Sequence, residues 1–179
     1  MVRSIAWCLP RPRRDKYPGG FPLHFERRLL DLLYSLGAPR DSKILHPFSG
    51  KAEYGVRMDI TPEVRPKIIA NAHNLPFVNE SFDIVILDPP FSNKQSQELY
   101  STGPLHFKRY ITEAARVLKP GGFIVMYHTH SMPGAPGCPL ILRLLVETRV
   151  NHLARIVHIR QKDSSHQLSL IREESRADA

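Results

Sequence analysis

Four consecutive residues, Asp88-Pro89-Pro90-Phe91, follow directly on the apolar run Phe82-Asp83-Ile84-Val85-Ile86-Leu87. Two successive prolines remove two N–H donors and fix two backbone torsions, so a strand entering them ends in a stiff, acceptor-rich corner. The Asp88 carboxylate and the Pro89 carbonyl then both point out of the strand end, and Phe91 presents an aromatic face. A planar ring carrying an amino group can stack on Phe91 while its NH2 donates to Asp88 and to the Pro89 carbonyl. Three further groups fall just after apolar stretches upstream: the turn Phe48-Ser49-Gly50, the acid Asp59, and Asn71-Ala72-His73. Gly50 permits close approach of backbone to a ligand, and an acid at a second-strand tip can accept two hydrogen bonds from a ribose diol.

The elements that must position these groups follow from periodicity and punctuation. Phe25, Leu29, Leu32, Leu33 and Leu36 recur at helical spacing between a start at Pro22 and a stop at Gly37. Strands are expected at 43–46, 55–60, 68–72, 82–87 and 123–127. A helix carrying Phe107, Tyr110, Ile111, Ala114, Val117 and Leu118 ends at Lys119-Pro120-Gly121-Gly122. Pro139, Leu140, Ile141, Leu144 and Leu145 suggest another helix. Two last strands, 154–160 and 167–171, flank the polar turn Asp163-Ser164-Ser165. Apolar strands alternating with helices imply an α/β fold: a mostly parallel, seven-stranded sheet covered on both faces, with an antiparallel C-terminal hairpin. One domain over 1–179 is expected, with an irregular segment at 1–20 and a disordered tail at 172–179. Ligands of such sheets sit beyond the strands' carboxyl ends, near the topological switch point, where the four groups above fall. Eight residues between Gly50 and Asp59 are too few for a helical crossover. Pro62 and Pro66 also oppose helix over 61–67, so both connections are expected to be loops.

Composition narrows the partners. The 179 residues carry 25 Lys+Arg against 17 Asp+Glu, a net charge of +8. Arg11, Arg13, Arg14 and Lys16 cluster near the start, and Arg155, Arg160 and Lys162 near the end, the latter interleaved with His152 and His158. Such an excess attracts phosphate, so nucleic acid is the first partner to consider. No apolar run approaches ~18 residues, and the first residues lack the apolar core of a signal peptide. A soluble cytoplasmic protein with no membrane partner is expected. Two cysteines, Cys8 and Cys138, cannot build a disulfide framework. His128, His130 and Cys138 lack a fourth ligand nearby, so no metal is expected.

At Asp88-Pro89-Pro90-Phe91 the sequence resembles the Rossmann-fold S-adenosylmethionine-dependent N-methyltransferases, especially those acting on adenine N6 or cytosine N4 of DNA. The stretch His46-Pro47-Phe48-Ser49-Gly50 is similar to part of that family's methionine-binding turn, with Ala52 where a second glycine should stand. Lys16-Tyr17-Pro18-Gly19-Gly20-Phe21-Pro22 followed by a leucine-rich helix looks like the element preceding the turn. Asn71 to Phe77 and Leu118 to Gly122 resemble further segments of many methyltransferases, so the likeness spans about residues 16–130.

The resemblance implies S-adenosylmethionine as cofactor, held by Phe21, Pro22, His46, Pro47, Phe48, Ser49, Gly50, Asp59, Ile60, Asn71, Ala72, His73 and Asp88. It implies catalysis by Asp88, Pro89, Pro90 and Phe91. Substrate would meet Phe91, Asn93, Lys94, Tyr100, His128 and the basic group Arg11, Arg13, Arg14 and Lys16. Asn71 stands where many relatives have an acid, although its amide oxygen can accept the same hydrogen bond. The Asp form of the motif favours adenine N6, with RNA base methylation and a non-catalytic nucleic-acid-binding module as alternatives. Ring-carbon methylation is excluded because neither cysteine sits in a suitable proline motif. The loop from Ser92 to Pro104 is a candidate lid. With no stretch left for a recognition domain, specificity is expected to be low or supplied by dimerisation or a partner.

Overall fold

The computed structural model describes residues 2–8, 23–92, 96–97, 104–147 and 154–164, and the structural statements below concern these residues. Eight strands form one sheet: β1 (Arg3–Cys8), β2 (Ile44–His46), β3 (Val56–Asp59), β4 (Ile68–Ile69), β5 (Phe82–Leu87), β6 (Leu118–His128), β7 (Leu140–Glu147) and β8 (Arg155–Gln161). Their order is β1-β7-β8-β6-β5-β2-β3-β4. The pairs β2–β3, β2–β5, β3–β4, β5–β6 and β1–β7 are parallel, whereas β8 runs antiparallel to both β6 and β7. The chain passes outward from β2 through β3 to β4, then returns to β5 on the other flank of β2. The switch point therefore lies between β2 and β5.

Two helices cover opposite faces. In α1 (Leu23–Ser35), Phe25, Leu29 and Leu33 are buried against Ile84, Ile86, Phe123, Val125, Tyr127, Val157 and Ile159. In α2 (Phe107–Val117), Tyr110, Ile111 and Ala114 pack on Leu45, Val85, Leu87, Ile124 and Met126. Successive residues of β5 and β6 thus serve opposite layers, as the two-residue repeat of a strand requires. This is why 84–87 and 123–127 are apolar throughout.

Residues 47–55 and 61–67 contain no α-helix, only turns and a short 3-10 segment at Pro62–Val64, as their lengths and prolines require. Gly55 makes the first crossover possible. It adopts φ +71°, and a Cβ there would lie 2.9 Å from the Ile44 carbonyl and 3.2 Å from His46, so the loop lies directly on β2. The β4–β5 connection is also without helix and is held by charge. Arg116 on α2 donates to the carbonyls of Leu75 (2.9 Å) and Phe77 (2.8 Å), and Glu113 accepts from the Leu75 N–H (2.8 Å).

Three expectations need correction. The N-terminal segment is not irregular throughout, since β1 adds an eighth strand parallel to β7. The stretch expected as a helix from Pro139 is strand β7: Leu142, Leu144 and Val146 point inward while Leu145 and Glu147 are exposed. Two-residue alternation wins over the i, i+4 reading of the same leucines. The expected antiparallel pairing near the C-terminus is present, with β8 against β6 and β7, while the strand expected at 167–171 and the tail at 172–179 lie outside the described residues. Finally, Lys119-Pro120-Gly121-Gly122 is an excursion within β6. Pairing with β5 leaves at Leu118 opposite Phe82 and resumes at Phe123 opposite Ile84.

Candidate functional site

The carboxyl ends of β2, β3 and β5 form a ledge at the switch point. The β2–β5 register pairs Leu45 with Val85, so the turn after His46 and the corner after Leu87 emerge side by side, about one strand spacing (~4.8 Å) apart. In the β2 turn, Pro47 and Ser49 are buried and Phe48 is half-buried, its ring edge-on to Tyr110 at 5.3 Å. Phe48 therefore anchors the turn to the core. The Ser49 N–H donates to the Met58 carbonyl (2.9 Å), while the Ser49 hydroxyl is buried without a partner. Gly50 has φ +44°, nothing lies within 4 Å of where a Cβ would project, and its N–H donates to Asp59 Oδ2 (2.9 Å).

Asp59, expected to face a ribose, also accepts from the Thr61 N–H at Oδ1 (3.0 Å). It thus ties the β2 turn to the β3 tip, and each oxygen keeps a second lone pair. Ile60 beside it is exposed. Asn71 is exposed and its Oδ1 accepts from the His73 N–H (2.9 Å), while Ala72 is buried in the α2-side core. His73 accepts from the His106 N–H at Nε2 (3.0 Å) and packs near Tyr110, so it braces the rim from behind. His46 is buried and edge-on to Tyr54 at 4.8 Å, and burial pushes its pKa down to about 4.

The Asp88 corner is the electrostatic centre. Asp88 retains some surface, yet its carboxyl is strongly desolvated. Burial raises its pKa to about 6 against the opposing pull of Arg155. Pro89 is buried, and Pro90 and Phe91 are half-buried. The Arg155 guanidinium lies over the Phe91 ring at 4.2 Å, and His128 meets Phe91 edge-on at 5.4 Å. One face of Phe91 is therefore covered by a cation, and an imidazole packs against the same ring. His128 is buried, and burial, then His130 and Arg155, lower its pKa.

Beneath the corner on the α1 side lies a group that the sequence does not single out. Burial and then Asp88 raise the Glu26 pKa to about 7, and the Tyr54 hydroxyl faces the Glu26 carboxyl. Tyr127, fully buried at the end of β6, is pushed well above the usual range of a phenol by the same burial and by these acids. Arg155 is apparent in the sequence only as part of a basic cluster, and it turns inward instead. Glu26 had one available signal: an acid on an otherwise apolar helical stripe, beside Phe25 and one turn before Leu29 and Leu30.

Several expected site residues cannot be placed. Arg11, Arg13, Arg14, Lys16, Phe21, Pro22, Asn93, Lys94 and Tyr100 lie outside the described residues. Of the candidate lid, buried Ser96 has its N–H on the Ser92 carbonyl (3.0 Å). Among the described residues no group of three His, Cys, Asp or Glu could hold a metal. No described helix is long and apolar enough to cross a membrane.

Fold and ledge together define a Rossmann-like α/β architecture. Residues 53–126 match a family model described as a methyltransferase domain, a class whose methyl donor is S-adenosylmethionine. The chain is 44% identical over 54 residues to a phthiotriol/phenolphthiotriol dimycocerosates methyltransferase of Mycobacterium leprae. That match covers 30% of this chain and spans only 16% of the relative's length. Among solved structures, TrmN from Thermus thermophilus aligns over 74% of this chain and 47% of its own, with 18% identity and TM-score 0.54. A 1,6-didemethyltoxoflavin-N1-methyltransferase from Burkholderia thailandensis, bound to 1,6-didemethyltoxoflavin and S-adenosylhomocysteine, aligns over 79% and 84% with 14% identity and TM-score 0.51. These structures share the fold. The ledge fits the donor: open space at Gly50, an orphaned buried hydroxyl on Ser49 and free lone pairs on Asp59 lie at consecutive strand ends.

Proposed function

We propose that this protein transfers the methyl group of S-adenosylmethionine to an exocyclic amine of a nucleic-acid base, in the first instance N6 of adenine in DNA. The single observation that carries the reading is the rigid Asp88-Pro89 corner beside the Gly50 turn, with the half-buried Phe91 ring next to it. Gly50, Asp59 and Asn71 are the residues to hold the donor, whose contribution when bound is an electrophilic methyl group. Asp88 and the Pro89 carbonyl accept the two amine hydrogens, which favours a pyramidal nitrogen with a freed lone pair. Phe91 is the aromatic group nearest the corner for the base to pack against, and the base leaves its own stack at a cost of about a few kcal/mol in a duplex. Asp88 is poised to receive the departing proton, because its pKa of about 6 lies close to neutrality.

The test is transfer of labelled methyl to DNA and to RNA, followed by nucleoside digestion. Label in N6-methyladenine from DNA supports the reading. Label only in RNA nucleosides transfers the reading to RNA, and no label in either overturns it. A second reading, a small hydroxyl acceptor, is favoured by Glu26, an additional proton acceptor with a pKa raised to about 7. Label recovered in a non-nucleic-acid acceptor would select it.

A further inference from the structure

The sheet face on the α2 side carries, over β7 and β8, a group of basic side chains that methyl transfer does not use. Arg143 and His158 are register partners, and Arg160 follows two residues further along β8 on the same face. His158 is 1% exposed, and neither of its ring nitrogens has a hydrogen-bond partner. Arg160 is 7% exposed. Its two Nη groups donate to the carbonyls of Cys138 (3.2 Å), Met132 (3.4 Å) and Pro133 (3.2 Å), which leaves its buried Nε–H without an acceptor. The Nε–H of Arg143 is also buried and unpartnered. The charges acting on His158 are those of Arg160, Arg143 and His128, with no carboxylate among them.

Buried polar groups in folded proteins are almost always hydrogen-bonded. Arginine, unlike a carboxylate or an imidazole, cannot escape burial by changing its protonation state. Two orphaned guanidinium N–H groups beside an orphaned imidazole, on the same face of adjacent strands, therefore form a neighbouring set of donors that lacks its acceptor. An oxyanion with several oxygens accepts from both guanidinium N–H groups and from the one N–H of the neutral imidazole, through the charge-assisted hydrogen bonds at which arginine excels. Arg143 is only half-buried and its neighbour on the same face, Leu145, is exposed, so the group opens to solvent at its β7 edge.

We propose that Arg143, His158 and Arg160 form an oxyanion site that takes a phosphate group. His128 connects this site to the corner, since its ring meets Phe91 at 5.4 Å and its charge reaches His158. The native occupant is a backbone phosphate of the strand whose base stacks on Phe91. That assignment rests on the function proposed above, whereas the site itself does not.

The experiment is a titration of the full chain, with histidines isotopically labelled, against inorganic phosphate at constant ionic strength, read by NMR at the His158 imidazole. A saturable shift below about 100 mM phosphate, weakened about tenfold or more in Arg143→Gln, is the expected result. An unaltered His46 signal reports that the variant is folded. If Arg143→Gln does not fold, the wild-type titration decides alone. Absence of a saturable shift in the wild-type chain overturns the proposal and leaves water as the acceptor. A companion assay compares KM for a short DNA oligonucleotide, which Arg143→Gln should raise about tenfold with kcat little changed. A phosphate shift without methyl transfer to the oligonucleotide keeps the site and defeats the base-methylation reading. Transfer without a phosphate shift does the reverse.

Discussion

The two faces of the sheet near the Asp88 corner are both desolvated and carry opposite chemistry. On the α1 side, Glu26, Asp88, Tyr54 and Tyr127 are acids whose pKa values are raised, chiefly by burial. On the α2 side, His128, His158 and Arg160 are bases whose pKa values are lowered by the same cause. Burial drives every group toward neutrality. The outcome differs because carboxyls and imidazoles can reach neutrality by gaining or losing a proton near physiological pH, whereas guanidinium groups cannot. The acid face thereby becomes a place to hold and move a proton. The basic face becomes a place where fixed positive charge must be answered by carbonyls or by an anion. Arg155, over Phe91 and acting on Asp88, is where the two regimes meet.

The largest effect is expected on the acid side. Asp88→Ala should reduce methyl transfer about 10²–10³-fold, the usual loss on removing a group that meets developing charge. Calorimetric titration with S-adenosylmethionine should show donor affinity nearly unchanged. Transfer that is unchanged, or lost only in step with donor binding, would remove Asp88 from the reacting centre. The acid limb of the wild-type rate profile should fall near pH 6, where Asp88 gains its proton. Next in size is a purely structural change on the same ledge. Gly55→Ala forces a Cβ to 2.9 Å from the Ile44 carbonyl at φ +71°, and should cost about 1–3 kcal/mol in chemical denaturation. Gly50→Ala, with nothing within 4 Å, should cost less stability and more donor affinity. The two glycines thus separate closing the crossover from receiving the ligand.

The central strands and both covering helices are legible in the sequence because buried parallel strands are apolar without interruption and α1 and α2 keep their helical stripes. The missing crossover helices are legible too, from loop lengths and prolines. The edges are not. Leu140 to Leu145 satisfies a helical spacing as well as a strand alternation, and only pairing with β1 and β8 decides between them. At the site, the residues after the strand ends fall where fold topology puts them. Their hydrogen bonds do not follow from type alone: Asp59 spends its carboxylate on Gly50 and Thr61, and Asn71 turns back on His73. Glu26, Tyr54 and Arg155 reach the corner from sequence-distant elements, and local pattern carries no information about such convergence.

The acid face should make the fold less stable as pH rises. Glu26 has a folded pKa of about 7 against an ordinary 4.5, so between those values the folded chain binds more protons than the unfolded one. Stability contributed by this group is present below pH 4.5 and is lost as pH climbs through 7. Glu26→Gln removes the dependence, and should raise Tm at pH 8 by roughly 3–6 °C while leaving it nearly unchanged at pH 4. An equal gain at both values would mean that the substitution improves packing and that the carboxyl is not titrating as described.

The basic face should show the mirror-image dependence, with a smaller effect. His158 has a folded pKa near 4 against an ordinary 6.5, so acidification protonates the unfolded chain first. Stability is therefore lost as pH falls from 6.5 toward 4. Replacing the imidazole with an apolar side chain of similar volume, His158→Leu, removes that penalty and also removes a buried polar ring that has no hydrogen bond. Thermal melts should place the variant above the wild type by roughly 2–4 °C at pH 5, with a smaller margin at pH 8. Added phosphate reverses the sign if the ring helps hold an oxyanion. It stabilises only the wild-type chain, because a ligand that binds the folded state raises its Tm by mass action. The same pair of melts with and without phosphate therefore separates an imidazole that is merely tolerated from one that is retained for a ligand.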